Sequence, residues 1–184
     1  MGILLIVLIV VVLFIILYII ALYNRLITYR NRVKNSWSQI DVQMNRRYDL
    51  IPNLLEAVKG YMQHEKDTLE RVIQARTAAM NCTGVAEKSA ADNALTGTLK
   101  SLFAVAEQYP NLKADKNVMQ LQEELTSTEN RIAFARQHYN DSTMEYNIAI
   151  QAFPSNLIAG LFGFAIQDFY SVDETKKEVP KIKF

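Results

Sequence analysis

Hydrophobic and polar positions divide this chain into two regimes. From Ile3 to Leu22 runs a stretch of twenty apolar or aromatic residues with no charge and no proline. Beyond it, apolar positions recur at steps of three and four. A twenty-residue helix covers about 30 Å, the thickness of a bilayer's hydrocarbon core. The pattern therefore predicts a transmembrane anchor over residues 1–22, with Ile3, Leu13, Phe14 and Leu22 among its residues. The run is longer than the apolar region of a secretory signal peptide. No basic residue precedes it, and Ile20-Ala21-Leu22-Tyr23 lacks a small-residue cleavage pattern. The expectation is a retained single span.

The next apolar stripe is Leu26, Val33, Trp37, Ile40, Met44, Tyr48, Ile51, Leu55, Val58 and Met62, the spacing of one buried helical face. Pro52 lies inside it and predicts a kink. Lys59-Gly60 reads as a helix end, and Glu65 and Asp67 as the first turn of a second helix running to about Met80. A third helix is expected from Ala86 to Tyr109, weakened by Gly97 and ended by Tyr109-Pro110-Asn111. In the fourth, Val118, Leu121, Leu125, Thr128, Ile132, Ala135, Tyr139, Ser142, Tyr146, Ala149 and Phe153 form a coiled-coil-like seam. A second stripe, Phe134, Met144 and Ile148, predicts contact with more than one neighbour.

Residues 155–170 are apolar on nearly all sides, yet too short and glycine-rich to span a bilayer. Three readings compete. The segment plugs one end of the bundle, buries into a partner subunit, or lies on the membrane surface. Leu157, Ile158, Leu161, Phe162 and Phe164 are its candidate interface residues. With a helix end near Gly60 the order is up-down-up-down, and the fourth helix brings this segment back towards the membrane; Met62, Leu69, Val72 and Ile73 continue the stripe almost in phase, and if the first two helices are one, the segment sits far from the bilayer. The expected organisation is an anchor over 1–22, a helical bundle over 23–170 and a charged C-terminal tail over 171–184. The fold class is all-α, an N-terminal transmembrane helix continuing into a long antiparallel four-helix bundle.

Charge adds orientation and excludes one class of partner. The net charge of +1 over 184 residues leaves no basic surplus for nucleic acid. Arg25, Arg30, Arg32 and Lys34 follow the span closely, so the positive-inside rule favours a cytoplasmic bundle. With a single cysteine, Cys82, an intramolecular disulfide framework and a cysteine-based metal cage are excluded.

Chemistry is sparse. His64 and His138 are the only histidines, and His64-Glu65 lacks the second histidine of a zinc helix. A surface or capping role is expected for His64 and an interior one for His138. Phosphate-loop, dinucleotide and nucleophile-elbow motifs do not occur. No catalytic residue, cofactor or metal ligand is expected. The remaining polar candidates are Arg46, Arg47 and Asp49 around Tyr48, and Glu129, Asn130 and Arg131 on the fourth helix. They form either a buried network that fixes helix register or ordinary surface pairs.

Tyr23-Asn24-Arg25-Leu26, Trp37-Ser38-Gln39-Ile40-Asp41-Val42-Gln43 and Arg46-Arg47-Tyr48-Asp49-Leu50-Ile51-Pro52-Asn53-Leu54 stand in one register. Glu129-Asn130-Arg131-Ile132 and Phe153-Pro154-Ser155-Asn156 fit the same pattern. Over nearly its whole length the chain resembles the LemA family. The resemblance implies a bacterial single-span membrane protein with a helical bundle and no established enzymatic activity. A relative acts in magnetosome membrane formation. Some relatives carry a lipoprotein cysteine at the end of the apolar run; this chain has none there. The functional expectation is a scaffold that self-associates at the bacterial membrane, its partners being the lipid bilayer and further copies of itself. The alternative is an adaptor for another membrane protein, such as a protease or a sensor.

Overall fold

The computed structural model describes residues 1–170, and every regular element among them is a helix. These are α1 (Gly2–Lys59), α2 (Lys66–Asn81), α3 (Val85–Ala106), α4 (Pro110–Lys113), α5 (Lys116–Gln151) and α6 (Ser155–Leu161). The fold is all-α, with one long apolar N-terminal helix leading into a helical bundle. The charged tail expected over 171–184 lies outside the described residues.

Local chemistry sets the boundaries. Between Ile3 and Ile51 there is neither glycine nor proline, and α1 runs unbroken for 58 residues, through Pro52, to Lys59. The turn that follows is closed by Met62 N–H on Val58 O (3.0 Å) and Glu65 N–H on Met62 O (3.0 Å). Met62 is buried inside this turn, which explains why it keeps the phase of a helical stripe across a helix break. The third helix stops at Ala106, short of the expected Tyr109. Tyr109 is extended, as a residue before proline prefers, and Pro110 opens the short α4. Asp115 caps α5, its Oδ1 accepting from the backbone N–H of Asn117 (2.8 Å).

The helices divide into two compact units, and both long helices contribute to each. The first comprises Met1–Gln39 and Ala135–Asp168. Here Arg32 meets Glu145 (3.6 Å), Ser36 meets Ser142 (3.0 Å) and the Trp37 ring meets that of Tyr139 (5.4 Å). Partners descend α5 as one climbs α1, so the pair is antiparallel. Its interior holds Leu26, Val33, Tyr139, Tyr146 and Ile150.

The second unit comprises Ile40–Phe134 together with Phe169 and Tyr170. Lys88 on α3 pairs with Asp41 on α1 (2.5 Å), and further along Thr96 meets Arg47 (2.6 Å), so these two helices run parallel. Arg76 on α2 donates to the Tyr48 carbonyl (2.7 Å), and the Tyr48 hydroxyl donates to the Ala79 carbonyl (3.4 Å). With the tight turn at 60–65, α2 returns antiparallel to α1. The order is up-down-up-down around a core of Ile40, Met44, Ile51, Leu54, Val72, Leu95, Leu102 and Ile132.

Two expectations for the apolar residues of the fourth helix are corrected. Phe153, read as the last member of the α5 seam, is 81% exposed, because α5 ends two residues earlier at Gln151. Phe134, Met144 and Ile148 do not meet a second neighbour; all three side chains are exposed.

Candidate functional site

Three features carry the candidate residues. The first is the apolar run. Residues 3–21 are exposed throughout, including Ile3, Leu13 and Phe14, and only Leu22, at its end, is half-buried. Among the described residues one helix, α1, is long and apolar enough to cross a membrane. Apolar surface left in water costs roughly 25 cal/mol per Å². A row of nineteen exposed side chains, from Ile3 to Ala21, is therefore suited to an apolar medium.

The second is a charged cluster enclosed in the second unit. The Arg47 side chain is 1% exposed and that of Asp92 0% exposed, with Nη2 and Oδ1 3.3 Å apart. Arg47 Nη2 also donates to Thr96 Oγ1 (2.6 Å) and to the Asp92 carbonyl (3.3 Å), while Nη1 pairs with Glu129. The hydroxyl of buried Tyr170 donates to Asp92 Oδ2 (3.1 Å). Burial holds the Arg47 pKa below its ordinary value, opposed chiefly by the charge of Glu129. An arginine stays cationic under such a shift. The cluster thus joins α1, α3 and α5 through a cation that cannot be released to water without breaking the packing. Of the six polar residues singled out from sequence, Arg47 and Glu129 meet here. Arg46, Asp49, Asn130 and Arg131 are exposed. Asp92, Thr96 and Tyr170 carried no sequence signal, since an aspartate and a threonine amid the alanines of α3 read as a solvated face.

The third lies in the first unit, where α5 side chains hold the chain after α6. Asn147 pairs with both backbone groups of Gln167, donating to its carbonyl (2.9 Å) and accepting from its N–H (3.0 Å). The hydroxyl of Tyr146 donates to the Ala165 carbonyl (2.9 Å) and that of Tyr139 to the Asp168 carbonyl (2.9 Å). Burial raises the Tyr139 pKa above its ordinary value, so this donor stays protonated. At the end of α6, Gly163 adopts φ +69° and lets Phe164 N–H close on Ala159 O (2.9 Å). Of the candidate interface residues, Leu157, Leu161 and Phe162 are exposed, Phe164 is half-buried and Ile158 is buried.

His64 and, against expectation, His138 are both exposed. Cys82, at the end of α2, directs its thiol to the Ala78 carbonyl (3.2 Å). A cleft of about 170 Å³ between Leu54, Val58, Phe103 and Val118 is lined mainly by apolar side chains, with Glu107 and Lys113 paired beside it (2.5 Å). No group of three or more His, Cys, Asp or Glu able to hold a metal occurs among the described residues.

Comparison with known proteins gives the family. A sequence profile for the LemA family matches residues 36–184. A protein named LemA from Metamycoplasma hominis is 29% identical over 140 residues, 74% of this chain and 63% of the relative. The magnetosome protein MamQ 2 of Paramagnetospirillum magneticum is 24% identical over 174 residues, 80% of this chain and 64% of the relative. MamQ of Magnetospirillum gryphiswaldense is similar to the same degree. The chain spans just under two thirds of the length of these relatives. A profile that covers the long α5 and most of the packed part of α1 is decisive, and the chain belongs to the LemA family.

Proposed function

We propose that this protein is a non-catalytic helical scaffold, held in a bacterial membrane by Ile3–Leu22, whose copies associate side by side. The observation that carries the reading is the continuity of α1. An exposed apolar stretch runs, without glycine or proline, into a stripe that packs at Leu26 and Val33. Such a stem fixes the first unit to the span, whereas a tethered enzyme needs only a loose linker. The basic residues Arg25, Arg30, Arg32 and Lys34 just beyond the span favour a cytoplasmic bundle. The enclosed charge cluster serves as a register device in this reading, because a buried ion pair specifies alignment better than it stabilises.

Self-association is supported by the outward apolar residues of α5, Met144 and Ile148. An anchor also confines copies to two dimensions and raises their effective concentration. The magnetosome relatives, named for a membrane organelle, agree with a role in membrane organisation. The test is disulfide trapping in native membranes. With Cys82→Ala removing the only native thiol, Ile148→Cys is expected to give a dimer band on mild oxidation, while Gln74→Cys, on the exposed face of α2, gives none. Equal trapping at both positions, or at neither, overturns self-association through this face.

A further inference from the structure

The α6 edge sits beside the end of the apolar run. Within the first unit, the Phe162 ring packs on that of Tyr23, centroids 4.8 Å apart, and Phe164 meets the same ring edge-on at 5.9 Å. Tyr23 is the residue immediately after Leu22. Arg30, two turns along α1, lies over the Phe164 ring at 5.2 Å. Phe153, Leu157, Leu161 and Ile166 project from this edge, and Leu161 is 77% exposed. From Tyr146 to Gln167 the chain carries no charged residue. The nearest charge on α5 is Glu145, paired with Arg32.

We infer that the α6 edge, from Phe153 to Ile166, is a second membrane contact, seated in the headgroup and upper acyl region of the bilayer that Ile3–Leu22 crosses. The inference rests on the anchor reading above. If the run fills the hydrocarbon core, Tyr23 stands at its boundary, where tyrosines collect, and Phe162 stands beside it. An amphipathic helix at a membrane surface usually supplies its own basic face. Here α6 has none, and Arg25 and Arg30 of α1 supply the cationic rim that faces phosphate. The segment is not a loose hydrophobic tail, because Asn147, Tyr146 and the Gly163 turn hold its backbone. Its exposed side chains are therefore carried on a fixed backbone, and the Ala165 carbonyl and both backbone groups of Gln167 are already bonded, which favours contact with lipid. A second copy would also cover such an edge, but it would not explain the absence of charge on the segment that flanks the span.

The test is spin-label depth measurement on the full chain in liposomes of zwitterionic and anionic lipid. In the Cys82→Ala background, single nitroxides are placed at Leu161→Cys and, separately, at Leu157→Cys. Leu13→Cys serves as the span control and Gln74→Cys as the water control. The expected result is that Leu161 and Leu157 labels collide preferentially with oxygen over a water-soluble nickel chelate, at a depth shallower than the Leu13 label. A lipid-exposed Leu13 label with water-exposed Leu157 and Leu161 labels overturns this inference and leaves the anchor intact. Labels at 157 and 161 shielded from both reagents, with dipolar broadening, assign the edge to a second copy and overturn it equally. A water-exposed Leu13 label overturns the anchor reading itself. Circular dichroism of each labelled variant establishes that the helices persist.

Discussion

Arg47 and Asp92 face each other 3.3 Å apart with almost no exposed surface, an ion pair sealed between α1 and α3. Enclosing two charges is costly, and their attraction offsets that cost only when the remaining donors and acceptors are bonded. Thr96, Glu129 and Tyr170 supply three such bonds, while the buried Arg47 Nε finds no acceptor among the described residues. A single-partner deletion leaves the other charge stranded. Arg47→Met or Asp92→Leu alone is expected to cost about 3–5 kcal/mol, whereas the double variant Arg47→Met/Asp92→Leu costs much less than their sum. Thermal unfolding in detergent, followed by helical circular dichroism, measures the cycle. Additive costs would show that the two side chains do not act as a pair.

Tyr170 offers a milder cut at the same cluster. Tyr170→Phe keeps the ring and removes only the donor to Asp92. The expected loss is about 1–3 kcal/mol, as for a buried acceptor left short of a partner. Faster hydrogen exchange in α3 around Asp92 would accompany it, and unchanged stability would contradict it.

Gly163 sits at φ +69°, a conformation that penalises any side chain, although a Cβ there meets nothing within 4 Å. Gly163→Ala is therefore expected to cost about 1 kcal/mol through backbone strain alone. The effect should be local, raising amide exchange from Phe164 to Gln167 while α2 and α3 are unchanged. Protection unaffected by the substitution would show that the turn is not what holds this segment.

Asp115 makes the start of α5 sensitive to acid. Bonds from the backbone N–H of Asn117 and from the Tyr61 hydroxyl hold its carboxyl below the ordinary value of 3.8. A group depressed in the folded state contributes stability that is present above its unfolded pKa and is lost as pH falls through the folded pKa. The window thus opens near pH 3.8 and extends downward. Asp115→Asn keeps a capping side chain but removes the titration, so its melting temperature should fall less steeply than that of the parent below about pH 4. Parallel acid limbs would rule out this role for Asp115.

Much of this architecture was legible in single residues. The stripe from Val33 to Val58 marks the packed face of α1 because each member is three or four residues from the last. Lys59-Gly60 marks its end. Leu54 escaped the stripe although it is fully buried, since α1 in the second unit is enclosed by three helices and needs a wider apolar face than one seam provides. Arg47 and Glu129 stood out because they flank stripe residues. Their neighbours Arg46, Asp49, Asn130 and Arg131 are one or two positions away, which on a helix turns a side chain by about 100–200° and out to solvent. Asp92 and Tyr170 were invisible for another reason. The bond that gives them meaning joins residues 78 positions apart, and neither local propensity nor periodicity encodes it.

The α6 segment shows the same limit. Its composition allowed a plug, a partner contact or a membrane contact, because apolar content alone does not say which apolar surface is met. The contact of Phe162 with Tyr23 is what supports the membrane reading proposed above, since it places the edge against the residue that follows the apolar run.

The central claim is that Ile3–Leu22 holds this chain in a bilayer and that its copies associate there. The most direct measurement is the mass of particles excised from native membranes with a lipid-solubilising polymer, without detergent. The account predicts recovery in the membrane fraction, in particles whose protein mass is a multiple of the 21.0 kDa chain. Particles holding one chain each, or recovery of the protein in the soluble fraction, would contradict it.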